Sequence, residues 1–224
     1  MNKYLLPVYA VIFGFVLVKL AQERPLKHIK LLLAFSGAFL LSLTVFDLLP
    51  EVYNHLDAKR TGLFIMAGIL IQIFLEFFSK GAEHGHIHVH NTETIFPWLL
   101  FISLCLHAFL EGFPIHQENE MVYGVLIHKI PIAILISSYL LQAKFKTLHV
   151  ILFLLIFALM TPLGTYISNE LSVNDNILHV INAMVIGIFL HISTIILFES
   201  SEGHKFNLQK IIVIVVAVAV AYFL

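Results

Sequence analysis

Charge is scarce in this sequence: of 224 residues only 12% are Asp, Glu, Lys or Arg, against about 25% in a soluble domain, while 59% are hydrophobic. The mean hydropathy is +0.94. That balance places the chain in a lipid bilayer. The charge that exists has no excess of one sign, since thirteen Lys and Arg face fourteen Asp and Glu for a formal charge of −1. No basic block points to a nucleic-acid partner. Cysteine is nearly absent: Cys105 is the single one, it forms no intrachain disulfide, and its mid-helix position reads as packing. No Asn-x-Ser/Thr acceptor occurs. The apolar/polar alternation of a barrel strand is also missing. In its place are continuous apolar runs of about 17–22 residues, long enough as helices to cross a hydrocarbon core of about 30 Å. The N-terminal run from Tyr4 to Val18 is followed by no small-x-small cleavage site, so it reads as the first membrane helix and not as a signal peptide.

The fold class is therefore an all-α membrane protein. Eight transmembrane helices are expected at about 4–21, 30–49, 62–79, 95–115, 121–141, 147–167, 177–198 and 209–224, in a single polytopic domain spanning 1–224. Only the stretch 80–94 is a long connection. Sorting loops onto alternate sides puts Arg24, Lys27, Lys30, Lys80, Lys144, Lys146, Lys205 and Lys210 on one side, and Lys3, Lys59 and Arg60 on the other. The first side is then cytoplasmic and both termini lie outside. Gly37-Ala-Phe39-Leu40 with Thr44 in helix two matches Gly187-Ile-Phe189-Leu190 with Thr194 in helix seven, in register but opposite in direction. Either this is chance in Phe/Leu-rich sequence, or two three-helix halves of inverted topology flank helices four and five, a 3+2+3 arrangement.

The chemistry gathers at His107-Ala108-Phe109-Leu110-Glu111-Gly112 and His128-Lys129-Ile130-Pro131. Residues four apart share a helix face, so His107 and Glu111 point the same way. A charged group in mid-bilayer costs about 2.5–3.5 kcal/mol on insertion scales, so Glu111 and Lys129 require a polar cavity or a partner. Counting at 1.5 Å per residue, His107 lies about 12 Å and His128 about 10 Å below the same boundary. Two nitrogens and one or two carboxylate oxygens at one depth suit Zn²⁺ or another first-row divalent ion. The bland alternative is a structural ion pair or a hydrogen-bonded core histidine.

Other polar residues mark a route. Asp47, Glu51 and His179 lie near the outer ends of helices two and seven, as an approach for cations or simply as interfacial groups flanking Pro50. His191, isolated and deeper, is a ligand or gate, and Glu199 follows it toward the cytoplasm. The loop after helix three carries His84, His86, His88 and His90, an alternate-histidine tract of the kind that binds metal loosely.

With these residues in view, the sequence resembles the ZIP family of divalent metal transporters. The family carries a His-Asn-x-Pro-Glu-Gly-type motif in its fourth helix and a related His-x-x-Pro-Glu-Gly-type motif in its fifth. The Leu48-Leu49-Pro50-Glu51 end of helix two, the Thr161-Pro162-Leu163-Gly164 stretch and the Gly187-to-Glu199 run are similar to family patterns as well. The resemblance implies eight helices, external termini, a plasma or inner membrane location, a homodimer as one possible assembly, and His107, Glu111 and His128 as ligands of the transported ion. Ala108 stands where the motif has Asn, Leu110 where it has Pro and Ile132 where it has Glu, so a two-metal site does not carry over.

The expected function is uptake of a divalent cation, zinc first and Fe, Mn or Cd as other substrates, by alternating access. An intramembrane metal-dependent hydrolase is the alternative from another class, but no HExxH is present. A structural or receptor-like bundle leaves the matched histidines unexplained. Lys129 is expected to pair with Glu111 or an equivalent carboxylate between ions, so that one ion is carried at a time, unless it faces a neighbouring helix and serves packing.

Overall fold

The computed structural model describes residues 3–22, 28–79, 96–116, 120–170, 174–199 and 208–224. Among them the chain forms eight helical rods: α1 (Lys3–Leu20), α2 (Ile29–His55), α3 (Ala58–Ser79), α4 (Trp98–Leu110), α5 (Met121–Gln142), α6 (Thr147–Glu170), α7 (Asp175–Glu199) and α8 (Leu208–Tyr222). Six are long and apolar enough to cross a membrane; α4 and α8 are shorter apolar helices. That qualifies the expectation of eight full spans. An all-helical integral membrane protein remains, with its backbone polar groups satisfied inside each rod. Its outside is apolar, with Leu63, Leu70, Phe74, Phe77 and Trp98 all exposed.

Three boundaries differ from the hydropathy reading for local reasons. The second helix does not stop at residue 49 but runs on to His55 through a π-helical turn, Thr44–Leu48. Pro50 has no N–H and crowds the carbonyl four residues back, and a widened turn just before it lets the rod continue. The third begins earlier, at Ala58, because the Asp57 carboxylate accepts the Arg60 N–H at 3.0 Å and caps it. The fourth does not run to 115: α4 ends at Leu110, and residues 111–114 continue as turns. Pro114 cannot continue a helix, and Gly112 presses on α6 so closely that a Cβ there would overlap the Thr161 carbonyl.

The rods pair as α3 with α7, α1 with α5, α8 with α2 and α4 with α6. Lipid supplies little drive for apolar surfaces to associate, so close backbone approach matters. Between α3 and α7 both Gly68 and Gly187 sit directly beneath a carbonyl of the other helix, leaving no room for a methyl.

Two apolar cores result. One is built from α2, α7, α8 and the first turns of α5, around Phe39, Leu43, Val125, Ile186 and Phe189. The other is built from α1, α4, α6 and the second half of α5, around Leu104, Ile132, Ile136, Phe153 and Phe157. α5 thus belongs to one core through Val125 and to the other from Ile132 onward. His128 and Lys129 lie between.

Candidate metal site

α5 brings His128 and Lys129 into the protein seven residues from its start at Met121, about 10 Å along the helix. Both are buried, as are His107 and Glu111. Pro131, inside α5, leaves the carbonyl of Ile127 without its helical donor in the same turn. From the other side comes α4, a helix of 13 residues whose C-terminal end, the negative end of its dipole, stops at this depth.

The broken end of α4 is held by α6. Thr161, Thr165 and Asn169 stand at four-residue spacing on one face of that helix. The Thr161 hydroxyl lies 3.0 Å from the Ala108 carbonyl and 2.7 Å from Glu111 Oε1, one proton between two acceptors. Thr165 donates to the Gly112 carbonyl at 2.8 Å, and Asn169 Nδ2 to the Ile115 carbonyl at 2.9 Å. Helix-end carbonyls that would be orphaned in an apolar interior are thereby satisfied by side chains. Gly164 makes this contact possible, because a Cβ there would overlap the Phe109 carbonyl.

Within this frame, Glu111 Oε2 is 3.4 Å from His107 Nε2 and Glu111 Oε1 is 2.5 Å from Lys129 Nζ. Lys129 also lies over the Phe157 ring, 4.1 Å from its centroid, a cation–π contact in a dry setting. The His107 and His128 rings meet edge to face with centroids 6.2 Å apart. Two imidazoles on one tetrahedral ion, each at about 2.0–2.1 Å, have centroids about 5 Å apart. The His107–Glu111 pair is therefore near ligand spacing, and His128 stands about 1 Å beyond it. Among the described residues no three His, Cys, Asp or Glu side chains form a ready-made metal cage. Lys129 Nζ instead sits on Glu111 Oε1.

The other expected site residues separate into distinct places. Asp47 lines a cleft of about 590 Å³ with Leu43, Phe46, Glu120 and Tyr222, away from the buried site. Glu51 Oε1 is 3.7 Å from His116 Nε2, and His179 stacks on His55 with centroids 4.0 Å apart. His191 is not isolated: its Nε2 is 2.7 Å from Glu76 Oε2 on α3, in a partly buried pair. Glu199 ends α7, and its side chain lies outside the described residues, as do His84, His86, His88 and His90. Cys105 is a free, half-buried thiol.

The family model of the ZIP zinc transporter matches residues 79–224, which includes α4 through α8 and every residue of the buried site. This chain belongs to the ZIP zinc transporter family. Zinc transporter ZIP1 of Danio rerio is 30% identical over 122 residues, covering 50% of this chain and 40% of that protein. ZIP1 of Takifugu rubripes is 26% identical over 122 residues with the same coverage. Protein zntD of Dictyostelium discoideum is 26% identical over 150 residues, covering 57% of this chain and 22% of that one. The chain thus spans less than half the length of the curated relatives it matches. ZIP is a family of transporters and not of enzymes, which sets aside the intramembrane hydrolase.

Four residues that contribute to these clusters were not among the site residues read from the sequence. Thr161 donates to Glu111 and Glu76 pairs with His191, while His116 lies beside Glu51 and His55 stacks on His179. Glu76 carried a signal, being a carboxylate in an apolar helix with the same insertion cost as Glu111. The Thr161-Thr165-Asn169 spacing was a second signal.

Proposed function

We propose that this ZIP chain carries a divalent cation, zinc before Fe, Mn or Cd, across the bilayer into the cytoplasm, with His107, Glu111 and His128 as ligands of the partly dehydrated ion. The observation that carries this reading is the convergence of two buried imidazoles and a buried carboxylate from α4 and α5 at the seam between the two apolar cores. A buried group of that kind is costly unless it meets charge, and a borderline-soft N/O set selects a first-row divalent ion over Mg²⁺ or Ca²⁺. Lys129 keeps Glu111 paired between ions and yields it to the incoming cation, so the core carries one ion at a time. Asp47, Glu51 and His179 draw cations to the face where α2 meets α3. His191 with Glu76, then Glu199 and the histidines at 84, 86, 88 and 90, receive them on the opposite face.

Alternating access follows from site placement, because a seam between two separately packed bodies opens to either face when one body moves against the other. The single domain 1–224, the 3+2+3 inverted halves with external termini, and a plasma or inner membrane location belong to the same reading. The Lys/Arg distribution and the helix two to helix seven register support it. A homodimer rests on the family resemblance alone.

The test is zinc flux into proteoliposomes with Fe²⁺, Mn²⁺ and Cd²⁺ compared. His107→Ala, Glu111→Ala and His128→Ala are each expected to lose most of the flux while staying folded. Undiminished flux in folded His107→Ala and His128→Ala proteins would sink the assignment.

A further inference from the structure

Four side chains at the face where α2 meets α3 form a cluster of their own. Glu51 and His55 are one turn apart on α2, His179 is on α7 and His116 hangs from the turns after α4. Glu51 interacts electrostatically with all three histidines, and His179 with Asp175 one turn before it. One distance approaches that of ligands sharing an ion. Donor atoms on one tetrahedral ion at about 2.0–2.1 Å are about 3.3 Å apart, and His116 Nε2 is 3.7 Å from Glu51 Oε1. The His55 and His179 rings lie nearly parallel, 14° apart in plane, at 4.0 Å.

Two details favour ligation by these rings. His55 Nδ1 is 2.8 Å from the Glu51 backbone carbonyl. A carbonyl only accepts, so Nδ1 carries the proton of the neutral ring and Nε2 presents its lone pair. Metal-bound histidines are oriented by such a backbone hydrogen bond through their other nitrogen. In addition, His179 Nδ1 is buried with no hydrogen-bond partner among the described residues. Buried polar atoms are normally satisfied, and one left over beside a carboxylate and two imidazoles calls for a further partner.

We infer that Glu51, His55, His116 and His179 form a second divalent-cation site, separate from the buried one, that takes Zn²⁺ or a similar first-row ion at the membrane surface. Three imidazoles and one carboxylate make a complete tetrahedral set, whereas Mg²⁺ and Ca²⁺ demand oxygen ligands. The four side chains do not form a ready-made cage among the described residues, so an ion there would draw the His55 and His179 rings toward the Glu51–His116 pair. Because its ligands come from α2, α7 and the end of α4, an ion there ties three elements together. The inference goes beyond the transport reading, which uses Glu51 and His179 only to attract cations, and its test does not depend on flux.

The experiment is zinc titration of the purified protein, with X-ray absorption of the bound ion. The background has His84, His86, His88 and His90 replaced by serine and His107 and His128 by alanine. One ion per chain is expected to remain, ligated by two or three imidazoles, unmoved by excess Mg²⁺, and weakened at least tenfold by His116→Ala with His179→Ala. No retained ion, or an ion equally tight after those two substitutions, overturns the proposal. If the combined background does not fold, the comparison is repeated with His107 and His128 intact. There the double substitution must lower the stoichiometry by one ion, and an unchanged stoichiometry overturns the proposal. Loss of the transport reading would show in the flux of His107→Ala and leave this titration as it stands.

Discussion

Replacing Lys129 by methionine keeps most of the side-chain volume and removes the charge. In the structure Nζ lies 2.5 Å from Glu111 Oε1, with both side chains 1% exposed. At an effective dielectric of 20, that separation corresponds to a gross attraction of about 6–7 kcal/mol. Desolvation offsets much of it, and removing one partner of a buried pair costs about 3–5 kcal/mol because a naked charge is left behind. Thr161 still donates to Glu111, which places the cost toward the lower end. Lys129→Met should therefore lower the thermal unfolding midpoint in detergent without metal, and Lys129→Met with Glu111→Gln should recover most of the loss, since no charge is stranded. Zinc reverses the order. In the wild type an ion must first strip the ammonium from Glu111, and in Lys129→Met it meets a bare carboxylate. If even half the difference enters binding, about 2 kcal/mol, the Kd falls about thirtyfold. Unfolding midpoints with and without zinc, and calorimetric titration on the background with the 84–90 histidines replaced, measure both effects. A variant with wild-type stability and wild-type zinc affinity would refute the view that Lys129 and the ion compete for one carboxylate.

Three further outcomes are expected. Thr161→Val removes the hydroxyl that donates to Glu111 and lies on the Ala108 carbonyl, so zinc affinity should fall by about 1–3 kcal/mol, or roughly 5- to 150-fold; Thr161→Ser should restore it, in a titration of the purified protein. Gly112→Ala and Gly164→Ala push a methyl into backbone across the α4–α6 contact, and each should cost about 1–3 kcal/mol or prevent folding, read from the monodisperse yield and unfolding midpoint. Serine at 84, 86, 88 and 90 should alter apparent zinc affinity while flux persists, because an alternate-histidine tract binds ions loosely; complete loss of flux at normal expression would put those residues in the obligatory path.

Long apolar runs made the helices legible, and spacing plus the cost of buried charge picked out His107, Glu111, His128 and Lys129. What the runs could not show is where a helix yields inside the membrane. Hydropathy does not locate the break at Leu110, since Phe113 and Ile115 carry the apolar run on beyond it. Its cause is tertiary: Thr161, Thr165 and Asn169 on another helix supply the hydrogen bonds that let the turns exist. The same limit hid the partners of His191 and Glu51. Glu76 is 115 residues from His191 in sequence, and only the α3–α7 packing brings them together.

The three-residue ladder on α6 has a consequence for anyone exchanging segments between this chain and its relatives. Grafting a foreign stretch over 98–116 alone would set new carbonyls against an α6 shaped for the old ones. Each unmatched carbonyl would cost about 1–3 kcal/mol, and three together approach the whole stability of a typical domain. Moving 147–170 with it transfers lock and key as a unit. The smallest portable piece that keeps the broken end of α4 satisfied is two helices that are not neighbours in sequence, and chimaeras cut between them should fail for reasons unrelated to zinc.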